Sequence, residues 1–141
     1  MHRIAAAFVL AASLICGAAP QALAQQGAKH KVVFQVSDAD PAKWNLALNN
    51  ASNVQAELGK GNVEIEIVAY GPGLGMLKAD SKVADRLAAA LDQSVGLLAC
   101  ENTMQNTKTT RAQMYGGIGY VQAGVTHLMK RQAEGWAYIR P

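Results

Sequence analysis

Short apolar runs alternate along this chain with segments whose apolar residues recur every three or four positions. That alternation confines the fold to a mostly parallel sheet with helices on both faces. Val32-Val33-Phe34-Gln35-Val36-Ser37 is the first run, too continuously apolar for a strand with one wet face. It ends at Asp38-Ala39-Asp40-Pro41, where Asp40 can accept the free N–H groups of a helix start and Pro41 suits the first helical position. Trp44, Leu48, Ala51, Val54 and Leu58 then predict a helix over 41–58, closed by Gly59 and Gly61. Val63 to Tyr70 is a second strand, stopped by Gly71-Pro72-Gly73-Leu74-Gly75. A second helix is expected behind a cap at Asp80 or Ser81, with Val83, Leu87 and Leu91 on one face. Val95 to Cys100 is a third strand, and residues 102–114 suit a helical turn, a loop and a short helix. Ile118 to Gln122 is a fourth strand. Gly124 opens a helix with Val125, Leu128 and Met129 as its apolar stripe and Lys130, Arg131 and Glu134 outward. Gly135 closes it, and Trp136 to Ile139 is a last strand. No internal repeat or linker interrupts this pattern.

The N-terminus reads as a targeting signal. Met1-His2-Arg3 precedes an apolar run from Ile4 to Ala19, and Ala22-Leu23-Ala24 is an Ala-x-Ala cleavage pattern. The run is short for a bilayer span, and Leu14-Ile15 before Cys16 do not suit a lipoprotein signal. Residues 1–24 are therefore expected to be a cleaved signal peptide, and residues 25–141 a single exported, periplasmic α/β domain. No second apolar stretch reaches transmembrane length, so no membrane contact is expected after cleavage. The formal net charge of +3 is mild and its lysines and arginines are scattered, which argues against nucleic acid as a partner.

Cysteine count narrows the chemistry. Only two are encoded, and Cys16 lies in the expected signal peptide. Cys100 then has no partner within its own chain, leaving intermolecular pairing, a buried inert thiol or a reactive one. Ligands of open parallel sheets bind outside the carboxyl ends of the strands. Cys100 stands at such an end, with Ser37-Asp38 and the Gly71–Gly75 loop on the same edge. Backbone N–H groups of a following helical turn could stabilise its thiolate, whereas the charge of Glu101 next to it would disfavour one.

Other motifs point away from cofactors. The Gly71–Gly75 loop fits neither the Gly-x-Gly-x-x-Gly pattern nor a P-loop. It reads as a turn that brings backbone close to the ligand edge, so no cofactor is expected. His30 and His127 are far apart, and no Cys/His/carboxylate group has metal-ligand spacing. His127 reads as a boundary histidine, and Asp40 as a helix cap. Trp44, Trp136 and Tyr138 read as core or subunit contacts. Asn50-Ala51-Ser52 matches a glycosylation acceptor but falls inside the predicted helix.

Taken together, Ala99-Cys100-Glu101-Asn102-Thr103-Met104, Val121-Gln122-Ala123-Gly124-Val125 and the ending Gln132 to Pro141 are familiar, with Asp40-Pro41-Ala42-Lys43-Trp44 and Tyr70-Gly71-Pro72-Gly73 in support. Over nearly all of residues 30–141 the chain resembles the DsrE/DsrF-like, sulfur-relay-related family with the YchN-like fold, in an exported branch with a Cys-x-Asn-Thr pattern. The resemblance implies a three-layer α/β/α domain with a five-stranded parallel sheet, assembled into homotrimers or hexamers. It also implies a persulfide carried on the cysteine after the third strand, here Cys100, and passed between a sulfur donor and an acceptor protein. On that reading a small sulfur-containing anion is the substrate, positioned by Asn102, Thr103, Gly71 and Gly73. The alternatives are a non-catalytic ligand-binding or assembly module with a structural cysteine, and a redox-sensing thiol resolved by another chain.

Overall fold

The computed structural model describes residues 29–141; the expected signal peptide lies outside them. Five strands form one sheet in the order β4-β3-β2-β1-β5. They are β1 (His30–Val36), β2 (Val63–Ala69), β3 (Gly96–Cys100), β4 (Gly119–Val121) and β5 (Ala137–Ile139). Every strand pairing in the sheet is parallel. The helices are α1 (Pro41–Leu58), α2 (Ala84–Asp92), α3 (Glu101–Asn106) and α4 (Gly124–Ala133), with a 3-10 segment over Gly71–Leu77. The expected α/β/α layering is present.

Strand alternation sorts the layers. Val32, Phe34, Val36, Ile65, Ile67, Ala69, Leu97 and Ala99 point to the face covered by α1, α2 and the 3-10 segment. There they meet Trp44, Ala47, Leu48, Met76, Leu77 and Leu87 in the main core. The opposite face is thinner. Its cluster of buried residues beneath α4 is Val33, Val68, Leu128 and Trp136. Among the described residues no helix is long and apolar enough to cross a membrane.

Helix α1 keeps its expected bounds because its signals are local. The Asp40 side chain accepts from the Ala42 amide at 2.8 Å, and Pro41 occupies the first turn. Trp44 is buried and its indole N–H donates to the Asp38 carbonyl at 2.7 Å. Helix α2 starts at Ala84, later than the expected cap at Asp80 or Ser81. Ser81 instead accepts from the Val83 amide within a turn (3.3 Å). Tyr138 is exposed on edge strand β5 rather than in a core, its hydroxyl donating to Gln35 at 2.5 Å.

Helix α4 is turned differently from the sequence expectation. Val125 and Met129 are 55% and 65% exposed, so of the expected apolar stripe only Leu128 is buried. Arg131, expected outward, faces the sheet. The cause is Glu66 on β2, whose carboxylate lies beneath the helix and accepts from Arg131 at 2.6 and 2.9 Å and pairs with His127 at 2.7 Å. A carboxylate under a helix requires partners more than a methionine requires burial. Arg131 also bonds Glu134 at 2.7 Å, and its guanidinium stacks 4.6 Å from the centre of the Trp136 ring.

Burial pushes the Glu66 carboxyl up, but the hydrogen bonds of Arg131 and His127 outweigh it and hold the group below its ordinary value. Stabilisation from a depressed carboxyl is complete above the unfolded value and is lost as pH falls through the folded one. Thermal melts should therefore show Tm falling below about pH 4, with that acid limb flattened in Glu66→Gln. At neutral pH, Arg131→Ala should cost about 2–3 kcal/mol, because it leaves the part-buried carboxylate with His127 but without its two guanidinium bonds.

Candidate functional site

Cys100 is the last residue of β3 and the N-cap of α3, at the carboxyl edge of the sheet. Its strand parity matches Leu98, which packs against the cluster under α4, so the sulfur lies on the α4 side. The residue is 4% exposed. The amide of Gly124 donates to Sγ at 3.3 Å, and the Gln122 carbonyl lies 3.9 Å from it. Gly124 is the first residue of α4, and its N-cap, Ala123, offers no side-chain acceptor. The first amides of that helix are thus free of a competing cap, and its positive end faces the sulfur.

The donor expected after the cysteine is therefore joined by one from a helix that follows in sequence only after another strand. The signal was present in outline: a helix opening on glycine with no Ser, Thr, Asp or Asn at its cap. What it faced could not be read locally.

The other predicted residues occupy distinct positions. Thr103, partly buried, lies three residues after the cysteine, and its hydroxyl oxygen accepts from the Gly71 amide at 2.9 Å. Gly71 has φ of +53°, a left-handed conformation that costs glycine least. Its amide is used to orient Thr103. Gly73 is buried where the 3-10 segment crosses the end of β1, and a Cβ there would lie 2.2 Å from the Val36 carbonyl oxygen. Its amide donates to the Tyr70 carbonyl at 3.1 Å. Asn102 is exposed; its side-chain oxygen accepts from Gln122 at 2.7 Å, and its amide donates to the Gln122 carbonyl at 3.0 Å. Cys100, Thr103, Gly71 and Asn102 thus come together, with Gly73 as the packing point behind them.

Burial pushes the Cys100 thiol up, yet the Thr103 hydroxyl and the amides of Gly124, Thr103 and Asn102 together bring it below its ordinary value. Such a thiol has more of the nucleophilic thiolate near neutral pH than a free cysteine. Glu101 weighs against this less than its position in the sequence suggests. Arg111 holds the Glu101 carboxylate at 2.5 Å and stacks its guanidinium 4.2 Å from the centre of the Tyr120 ring. The adjacent charge is thereby compensated.

Elsewhere on the edge, Asp38 is held by Lys43 at 3.1 Å and Arg140 at 3.6 Å, apart from the sulfur. Among the described residues no group of three or more His, Cys, Asp or Glu is placed to hold a metal ion.

Removing Arg111 should expose Cys100 to the Glu101 charge. In Arg111→Met the pH midpoint of Cys100 alkylation should rise by a few tenths of a pH unit, a modest effect because the ion pair is exposed. In Glu101→Gln/Arg111→Met it should return to the parental value. Iodoacetamide kinetics across pH measure both.

No protein-family model matches the chain, and no curated protein does. Solved structures do match. MTH1491 from Methanobacterium thermoautotrophicum, a protein of unknown function, is 35% identical, with a TM-score of 0.77; the match covers 80% of this chain and 100% of that one. BT1422 from Bacteroides thetaiotaomicron, a conserved protein of unknown function, is 16% identical with a TM-score of 0.60, over 79% of this chain and 94% of that one. The second likeness is one of fold alone. The first spans the whole of its counterpart at substantial identity, and on that ground the chain belongs to the same family as MTH1491.

Proposed function

We propose that this is a DsrE-like sulfur-handling protein, exported to the periplasm, that carries sulfane sulfur as a persulfide on Cys100. The observation that carries the reading is the Gly124 amide donating to the sulfur at 3.3 Å from the start of α4, which favours the anionic form. A thiolate is the competent nucleophile toward sulfane sulfur. With thiosulfate, Cys100 S⁻ attacks the outer sulfur. One S–S bond forms to the protein, the S–S bond of the donor breaks, and sulfite leaves with the bonding pair. With a glutathione persulfide the same attack releases the glutathione thiolate. The product persulfide is anionic at its terminal sulfur, so the donors that favour the thiolate suit it as well. An acceptor thiolate then takes the terminal sulfur and returns Cys100 to its thiolate.

Small sulfur-containing anions are the substrates on this reading, with a donor or acceptor protein as partner. Assembly into a trimer or hexamer is part of the same proposal. Val125 and Met129, exposed one turn apart on α4, are apolar surface that assembly would cover.

A second reading, a binding or assembly module with a structural cysteine, draws on the 4% exposure of Cys100. The two separate cleanly. After exposure of the folded protein to thiosulfate, polysulfide or glutathione persulfide, intact mass spectrometry should show the mass of one added sulfur on Cys100, removed by a reducing thiol and absent in Cys100→Ser. A thiol inert to every donor and to alkylation while the protein stays folded would establish the structural role instead.

A further inference from the structure

Beyond the sulfur's direct neighbours, one aromatic residue touches the start of α4 and precedes the glycine whose amide holds Thr103. In the sheet register Val36 pairs with Ala69 and Ala69 with Ala99. The next residues of these three strands, Ser37, Tyr70 and Cys100, therefore stand side by side at the carboxyl edge, on the face that α4 covers. Tyr70 is the residue between β2 and the 3-10 segment, and its backbone is anchored by its amide on the Val36 carbonyl at 3.1 Å.

The Tyr70 side chain lies against Gly124. A Cβ at Gly124 would sit 3.0 Å from Tyr70 Cβ and Cδ1 and 3.1 Å from Cγ, so the start of α4 rests directly on this residue, and an added methyl would force the ring or the helix start to give. The same Gly124 supplies the amide on Cys100 Sγ. One residue on, the Gly71 amide holds Thr103 Oγ1 at 2.9 Å. The Tyr70–Gly71 step thus sets both donors: the ring meets the helix whose amide reaches the sulfur, and the next amide orients the threonine.

We propose that Tyr70 is a positioning residue for the Cys100 thiol, its ring forming the seat that keeps the first amide of α4 on the sulfur. This rests on the reading of Cys100 as a functional thiolate. The seat acts through contact with Gly124, so it requires the ring and not the hydroxyl. A side chain at Gly124 displaces the amide from the other direction. N–H···S bonds to a thiolate weaken steeply as the donor is drawn off or misaligned.

The test is the pH profile of Cys100 alkylation by iodoacetamide in the folded protein, for the parent, Tyr70→Phe, Tyr70→Ala and Gly124→Ala. Tyr70→Ala and Gly124→Ala should each move the midpoint up by roughly one pH unit, and slow alkylation about tenfold at pH values below it. Tyr70→Phe should keep the parental midpoint. Gly124→Ala replaces glycine in a helix and so retains a folded test case should Tyr70→Ala fail to fold. Parental midpoints in both Tyr70→Ala and Gly124→Ala overturn the proposal, as does a Tyr70→Phe midpoint displaced as far as that of Tyr70→Ala. In those cases a low parental midpoint leaves the persulfide reading standing. An ordinary thiol midpoint in the parent itself removes both the reading and the seat.

Discussion

The sulfur site depends on how α4 is held, and α4 is held by a carboxylate. The buried apolar cluster under this helix is small: Val33, Val68, Leu128 and Trp136. Glu66 lies in the same layer and draws Arg131 and His127 down onto the sheet. An ionised carboxylate partly withdrawn from water beneath a helix must be matched by donors, or it destabilises the fold. Meeting that demand rotates the helix until Val125 and Met129 face solvent. The same placement brings the helix start to the carboxyl edge, where Gly124 packs on Tyr70 and its amide reaches Cys100. A polar constraint at one end of the helix and a steric one at the other leave it little freedom to shift.

The two faces of the sheet divide the work. The α1 and α2 side holds the larger core and supplies most of the apolar burial that stabilises the domain. The α4 side is thin and holds the candidate thiol, Cys100. Gly73 links them, since its close approach to the Val36 carbonyl presses the 3-10 segment onto the end of β1 and thereby sets where Tyr70 and Gly71 emerge. This is the general arrangement of open parallel sheets, in which strand ends present loops from a rigid scaffold. Here the edge presents a thiol among hydrogen-bond donors.

Glu101 shows how a neighbour in sequence can mislead. Its charge adjacent to Cys100 argues against a thiolate when the segment is read alone. In the fold Arg111 pairs with it, held in turn over the Tyr120 ring. The sulfur meanwhile turns toward Gly124 on the other side of the strand end. The local sequence shows the repelling group, and only the tertiary contacts show what offsets it.

Signals carried by adjacent residues or by periodicity were legible from the sequence alone: the short apolar runs of the five strands, α1 with its Asp40 cap and Pro41, the glycine that opens α4, and Cys100 at a strand end. These follow from backbone geometry and capping, which act over three or four positions. Strand order, the rotation of α4, the late start of α2 and the donors on the sulfur required the tertiary structure. Glu66 meets its partners 61 and 65 residues away, and Cys100 meets Gly124 at a separation of 24. Such contacts are selected by three-dimensional packing and by the need to satisfy buried charge. No local period encodes them, so the sequence could place the cysteine at the edge but not the helix that faces it.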